Sequence, residues 1–310
     1  MLDQARAILR SVTVYCLFYG SWAFAGIDAE LKPWESKLRV DHSWVGKVWS
    51  RRANTWISEQ ALIASLKGAN YLLIGEKHDN PDHHQIQSLL LGRLVTSRSV
   101  VTFEMLQQQQ TSMFDISATS LSELKSQLQW NQLNRGWPWE FYGPLVLRVL
   151  DGGADVVGAG FDKQELMQIY RGNIPEQYRD LMALEYSESL QETLTEDLEI
   201  SHCHKLPKTQ IQPMVIIQRL RDLAMAKAMK RDFGEDGEQS ILIAGNFHVR
   251  RDVGVPLYLD SLDPQKRIVS LSIQEVPAEV ELLPMEDENT LYDFIWFTPA
   301  IVEKDYCADL

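Results

Sequence analysis

The sequence predicts an α/β fold: a mainly parallel central sheet flanked by helices. Three observations predict it. Short apolar runs of strand type recur along the chain, separated by segments with helical periodicity. Three of those runs end in acid–base side chains, where an open α/β sheet gathers its polar chemistry. Hydrophobic residues make up 45% of the 310. With no Pro/Gly/Ser linker and no internal repeat, one domain with helical insertions over residues 26–310 accounts for the chain.

Residues 1–25 read as an export signal. Arg6 and Arg10 outnumber Asp3, residues 11–25 are apolar and uncharged, and Ala23-Phe24-Ala25 forms a small-x-small cleavage site before Gly26. The apolar stretch is about 15 residues, short of the roughly 20 that a membrane-spanning helix needs. Thr13-Val14-Tyr15 lack the small side chains that precede a lipid-bearing cysteine, so Cys16 is not expected to carry an anchor. The expected location is the periplasm or cell envelope. Cleavage would leave Cys203 and Cys307, which could pair in an oxidising compartment.

The elements then follow in order. Residues 58–67 form a helix capped by Ser58 and stopped by Gly68. Residues 71–74 (YLLI) are a buried strand with Gly75 behind it. A polar loop leads to Pro81, which suits the first turn of a helix running to about Val95. Asp79 or Asn80 is placed to cap it. Residues 99–103 are the next strand, 139–150 a helix and 155–158 another strand. Residues 207–230 contain a long helix with apolar positions Met214, Ile217, Leu220, Leu223 and Ala224. Residues 240–244 (SILIA), 267–273 and 292–297 read as late strands. The run Gln107–Gln110, polar at every position, is expected on a solvated helix face.

Composition excludes some functions. Asp and Glu total 43 against 30 Lys and Arg, a net charge of −13, so a broad nucleic-acid surface is not expected. Three cysteines are too few for a disulfide framework.

The chemistry concentrates at strand ends. The segments from Ile74 through Gly75 to His78 and from Ala244 through Gly245 to His248 share one pattern: apolar strand, glycine, two residues, histidine. Glycine would allow a sharp turn there. The two turns would bring His78 and His248 together, with Glu76 and the strand-end Glu104 nearby. Imidazole plus carboxylate suits a divalent metal or general acid–base work. Glu104 ends an apolar run, and a buried carboxylate is costly unless paired.

Three further clusters are open to more than one reading. His83 and His84 are adjacent, so they cannot share one helix face. Residues 201–207, with His202, Cys203 and His204, could ligate a soft metal or simply precede a helix. The aromatic patch at 137–142 is either core or a wall against a flat ligand.

Residues 74–84 (IGEKHDNPDHH) resemble the signature of the ChaN-like haem-binding proteins, which belong with the Tiki/TraB and erythromycin-esterase-type proteins. The resemblance continues through Phe103-Glu104-Met105, Trp139-Glu140-Phe141-Tyr142 with Pro144, and residues 202–207. It extends through residues 218–222 with Met225-Ala226 to residues 244–248 and Gly254-Val255-Pro256. It implies an erythromycin-esterase/ChaN-like α/β fold and an exported protein of haem or iron acquisition. Haem would be the ligand, outer-membrane or envelope uptake components the partners, and a homodimer is allowed. Haem ligands are usually His, Cys, Met or Tyr, which makes His78, Tyr142, His202 and His204 the candidates. Arg221 and Arg250 could meet the propionates.

Two functions follow from these residues. One is an exported haem-binding protein of iron uptake or handling. The other is a metal-dependent hydrolase, peptidase or esterase, with Glu76, His78, Glu104 and His248 around an ion that activates water.

Overall fold

The computed structural model describes residues 31–114, 120–182, 187–234, 238–278, 291–302 and 307. The expected export signal lies outside the described residues. Among those residues one sheet contains β1 (Val48–Ser50), β2 (Thr55–Ile57), β3 (Tyr71–Glu76), β4 (Val100–Gln107), β5 (Asp155–Gly160), β6 (Ser240–Gly245), β7 (Ile268–Glu275) and β8 (Phe294–Thr298). Their order is β2-β1-β8-β7-β3-β6-β4-β5. From β8 to β5 every neighbouring pair is parallel. β1 is antiparallel to both β2 and β8.

The helices are α1 (Glu59–Lys67), α2 (Pro81–Leu94), α3 (Leu121–Gln127), α4 (Trp130–Leu133) and α5 (Trp139–Asp151). They continue with α6 (Lys163–Tyr170), α7 (Glu176–Met182), α8 (Glu188–Ser201), α9 (Lys208–Met229) and α10 (Val255–Leu262). The caps act as the sequence indicates. The Ser58 side chain accepts from the Ala61 N–H, and Asn80 accepts from the Asp82 N–H with Pro81 in the first turn.

Side chains alternate across the central strands because a strand has a period of two. Leu72 and Ile74 of β3, and Ile241 and Ile243 of β6, face a core shared with α1, α2 and α5. Tyr71 and Leu73, and Leu242 and Ala244, face the opposite core with α9 and α10. Both faces of the sheet are therefore covered, and polar chemistry is left to the strand ends.

The six expected strands and four expected helices are present with boundaries shifted by a few residues. The β1–β2 hairpin was not anticipated, because strands of three residues carry too little alternation to read. The expectation for Gln107–Gln110 is corrected. Gln107 ends β4, and residues 108–113 form a 3-10 helix. Gln110 is fully buried; its amide donates to Leu128 O (2.7 Å) and Asn134 Oδ1 (2.8 Å). A buried amide with its hydrogen bonds met costs little, and composition alone does not distinguish it from a solvated one.

Candidate functional site

The site lies beyond the carboxyl ends of β3, β6 and β4, neighbours at the middle of the sheet. The parallel register sets Gly75 beside Ala244 and Glu76 beside Gly245, so the two Gly-x-x-His turns leave the sheet side by side. Neither glycine adopts a left-handed conformation, so the expected need for a special turn is corrected. Their role is space. A Cβ on Gly75 would meet Asn246 and Val249 of the other turn, and one on Gly245 would lie 2.8 Å from His78 Nε2. Each turn occupies the room that the other's glycine vacates.

Glu76 is buried; its Oε1 takes hydrogen bonds, while its Oε2 makes an ion-pair contact without one. Oε1 accepts from Tyr142 OH (2.8 Å) and from His78 Nδ1 (2.9 Å), and Oε2 lies 2.9 Å from His84 Nδ1. The other nitrogen of His84 faces His78 O at 3.1 Å. Nδ1 also faces Gln87 Oε1 (3.0 Å), so both ring nitrogens meet acceptors, which favours the protonated ring; burial opposes that charge, but Glu76 raises the His84 pKa. Burial alone would raise the Glu76 pKa; the His84 charge and the imidazole hydrogen bonds outweigh it and hold it down at about 2. Burial opposes charge on His78, but the hydrogen bond to Glu76 and the Glu104 charge raise its pKa. The Tyr142 hydroxyl is pushed upward by burial and by Glu76.

A second cluster stands beside the first. The Gly245 N–H donates to Glu104 Oε2 (2.8 Å), and Arg221 pairs with Oε1. His248 bridges two carboxylates: Nε2 lies 3.3 Å from Glu104 Oε1 and Nδ1 2.6 Å from Asp222 Oδ1. Burial would lower the His248 pKa, but the two acids raise it to about 9. Burial of Glu104 would raise its pKa; His248 and Arg221 hold it well below the usual range. Burial moves Asp222 upward.

A cavity of about 800 Å³ opens over both clusters. Trp137, Leu198, Met214 and Phe247 supply apolar wall, while His78, His202, Arg221 and His248 are among its polar lining. Trp137 meets the His78 ring edge to face at 4.7 Å. The aromatic patch thus divides. Trp137 is wall; Trp139 and Tyr142 are buried in the core, and Phe141 packs against that core and stacks on His84 at 4.5 Å.

Glu76, His78, Glu104 and His248 come together, as the strand ends suggested. The divalent-ion reading is not supported: among the described residues no three or more His, Cys, Asp or Glu side chains form a metal-ligand group. The reason is pairing. Glu76 is held by Tyr142 and two imidazoles, Glu104 by a guanidinium, and both nitrogens of His248 face carboxylates. His202 and Arg221 line the cavity, Tyr142 lies behind Glu76, and His204 is exposed outside the lining. Arg250 is also outside, paired with Asp197 (2.7 Å) and Asp252 (2.7 Å). Cys203 is no soft-metal ligand, because it forms a disulfide with Cys307.

His83 is structural. Nδ1 accepts from the Lys77 N–H (2.9 Å), which leaves the proton on Nε2 to donate to Thr298 Oγ1 (3.0 Å). Burial drives its pKa down to about 3. Sequence reasoning gave no role to Asp222. It lies four residues after Gln218, one turn apart on α9, and Gln218 also reaches His248 Nδ1 (3.2 Å). A charge set between Leu220 and Leu223 on the apolar face was the available signal.

These features can be set against known proteins. Among solved structures, the chain is similar to ChaN of Campylobacter jejuni, described as binding haem cofacially. Identity is 22% and the TM-score 0.66, over 80% of this chain and 95% of that one. A weaker likeness, to the type III effector HopBA1, has 13% identity and a TM-score of 0.42 over 77% and 91%. No curated protein sequence matches. The C. jejuni structure shows the fold. The model of a family described as haem-binding uptake, Tiki superfamily, ChaN matches residues 62–259, more than half of the chain. The chain therefore belongs to the haem-binding uptake family of the Tiki superfamily, the ChaN family.

Proposed function

We propose that the protein binds haem in the cavity above β3, β6 and β4 and serves haem or iron uptake after export to the periplasm or envelope. The observation that carries this reading is the state of His78. Its Nδ1 is held by the buried Glu76 carboxylate (2.9 Å), so Nε2 is the nitrogen left for a ligand, which would take the place of a proton there. A carboxylate behind the imidazole fixes the tautomer and raises its basicity as a ligand.

The cavity fits the group. Its volume lies within the roughly 300–1,000 Å³ of small-molecule sites, and apolar walls beside a few polar groups suit a flat macrocycle. His202 offers a second imidazole in the lining, held through its Nδ1, which lies 2.9 Å from Leu198 O. Arg221 supplies positive charge in the lining. Bound haem would supply the iron, as cargo.

Export is supported by the pattern of residues 1–25 and by the Cys203–Cys307 disulfide, since such bonds persist in oxidising compartments. Among the described residues no helix is long and apolar enough to cross a membrane. Envelope uptake components and a second copy of the chain are the partners this reading allows.

Titration of the purified protein with haemin tests it. A Soret shift saturating near one equivalent is expected, altered or abolished by His78→Ala and unchanged by His204→Ala. Absence of any shift overturns the reading.

A further inference from the structure

A second cavity, of about 630 Å³, adjoins the first. Glu104, Trp137 and Arg221 line both, so the two share one wall. The second opens at the ends of β4 and β5, between the segment after α4 and the start of α6.

Its charges differ in kind from those of the first. In the first cavity Lys77 is paired with Glu275 (2.9 Å) and Arg221 with Glu104. Four carboxylates also line it: Glu76, Glu104, Asp197 and Glu275. A ligand carrying two negative charges gains little there. In the second cavity Arg135 and Lys163 make no ion pair or hydrogen bond with the described residues. Of the two acids in that lining, Glu104 is paired with Arg221, and Asp162 is engaged as the cap of α6, where it accepts from the Glu165 N–H (2.7 Å). Gln132 and Gln164 add amide donors, and Phe161 and Ile217 supply apolar surface.

We infer that the second cavity is a carboxylate subsite, in which Arg135 and Lys163 receive the propionate groups of a haem held in the first. This rests on the haem reading proposed above. It assigns polarity to the ligand: the apolar edge lies toward Leu198, Met214 and Phe247, and the anionic edge passes Trp137 and Arg221. Guanidinium and ammonium groups bind carboxylates by charge-assisted hydrogen bonds, which are stronger than neutral ones.

The test compares haem with haem dimethyl ester, whose propionates are esterified, in the wild-type chain and in the double variant Arg135→Ala/Lys163→Ala. Both side chains are exposed, so the variant should fold as the wild type does. The variant should bind haem on the order of tenfold more weakly, with its Soret maximum unchanged because the iron ligand is untouched. The ester should bind both proteins equally and more weakly than haem binds the wild type. Equal affinity of both proteins for haem overturns the subsite while leaving the haem reading intact. So does an ester that binds the wild type as tightly as haem. Absence of a Soret shift in every combination overturns the haem reading, and the subsite with it.

Discussion

The imidazole of His78 occupies the space that a side chain on Gly245 would fill, with Nε2 2.8 Å from the position of the missing Cβ. The contact joins the two Gly-x-x-His turns, since Gly245 opens the turn that ends in His248. Gly245→Ala should therefore displace the His78 ring, and overpacking of this kind costs about 1–3 kcal/mol. The expected result is a shifted Soret band and weaker haem binding in a protein that still folds. A variant with an unchanged spectrum would mean that the ring position is not set here.

Glu76 is fully buried and meets Tyr142, His78 and His84. Glu76→Gln leaves the buried His84 cation without its counter-charge, and breaking one side of a buried pair costs about 3–5 kcal/mol. Tyr142→Phe removes only one hydrogen bond to the same carboxylate, with an expected cost of about 1–3 kcal/mol. Urea denaturation of the two variants should rank them in that order. Equal losses would show that the hydroxyl, rather than the ion pair, holds the carboxylate.

How far this site could be read from sequence depends on where each residue lies. His78, His248 and Glu104 end apolar strands, and a strand end is visible as a change from apolar to polar residues. Asp222 and His84 lie inside helices, and their partners are 26 residues away for Asp222 (His248) and 8 for His84 (Glu76). Helical periodicity reports burial, but not what a buried charge meets. The His83–His84 pair shows the limit plainly. Both are buried, on different sides of the first turn of α2, one as a neutral prop on Thr298 and one as a cation on Glu76. The pairing of Cys203 with Cys307 was likewise open in the sequence, since cysteine spacing carries no geometry.

The Cys203–Cys307 bond closes a span of 104 residues and sits directly after His202, a residue of the cavity wall. Loop-closure entropy for a span near 100 residues gives a stabilisation of about 4–5 kcal/mol, of which real proteins often realise less. The double variant Cys203→Ser/Cys307→Ser should lose about 2–4 kcal/mol in guanidinium denaturation. It should also weaken any contribution of His202 to the haem spectrum. A variant as stable as the wild type would mean that the bond is not formed in the purified protein.

His248 gives the fold a pH dependence with a defined sign. It faces Asp222 and Gln218 on α9 and Glu104 on β4, and its pKa is raised to about 9 in the folded state. In the unfolded chain an ordinary imidazole titrates near 6.5. Below about 6.5 both states bind the proton, so the stabilisation is fully present. Between there and about 9 only the folded state holds it, so stability falls as pH rises, with a slope of about 1.4 kcal/mol per pH unit at most. Unfolding free energies measured from pH 6 to pH 10 should decline across that window. In His248→Gln that contribution to the slope should disappear, because glutamine does not titrate. A wild-type profile that is flat from pH 6 to pH 9 would show that His248 is not charged between its two carboxylates.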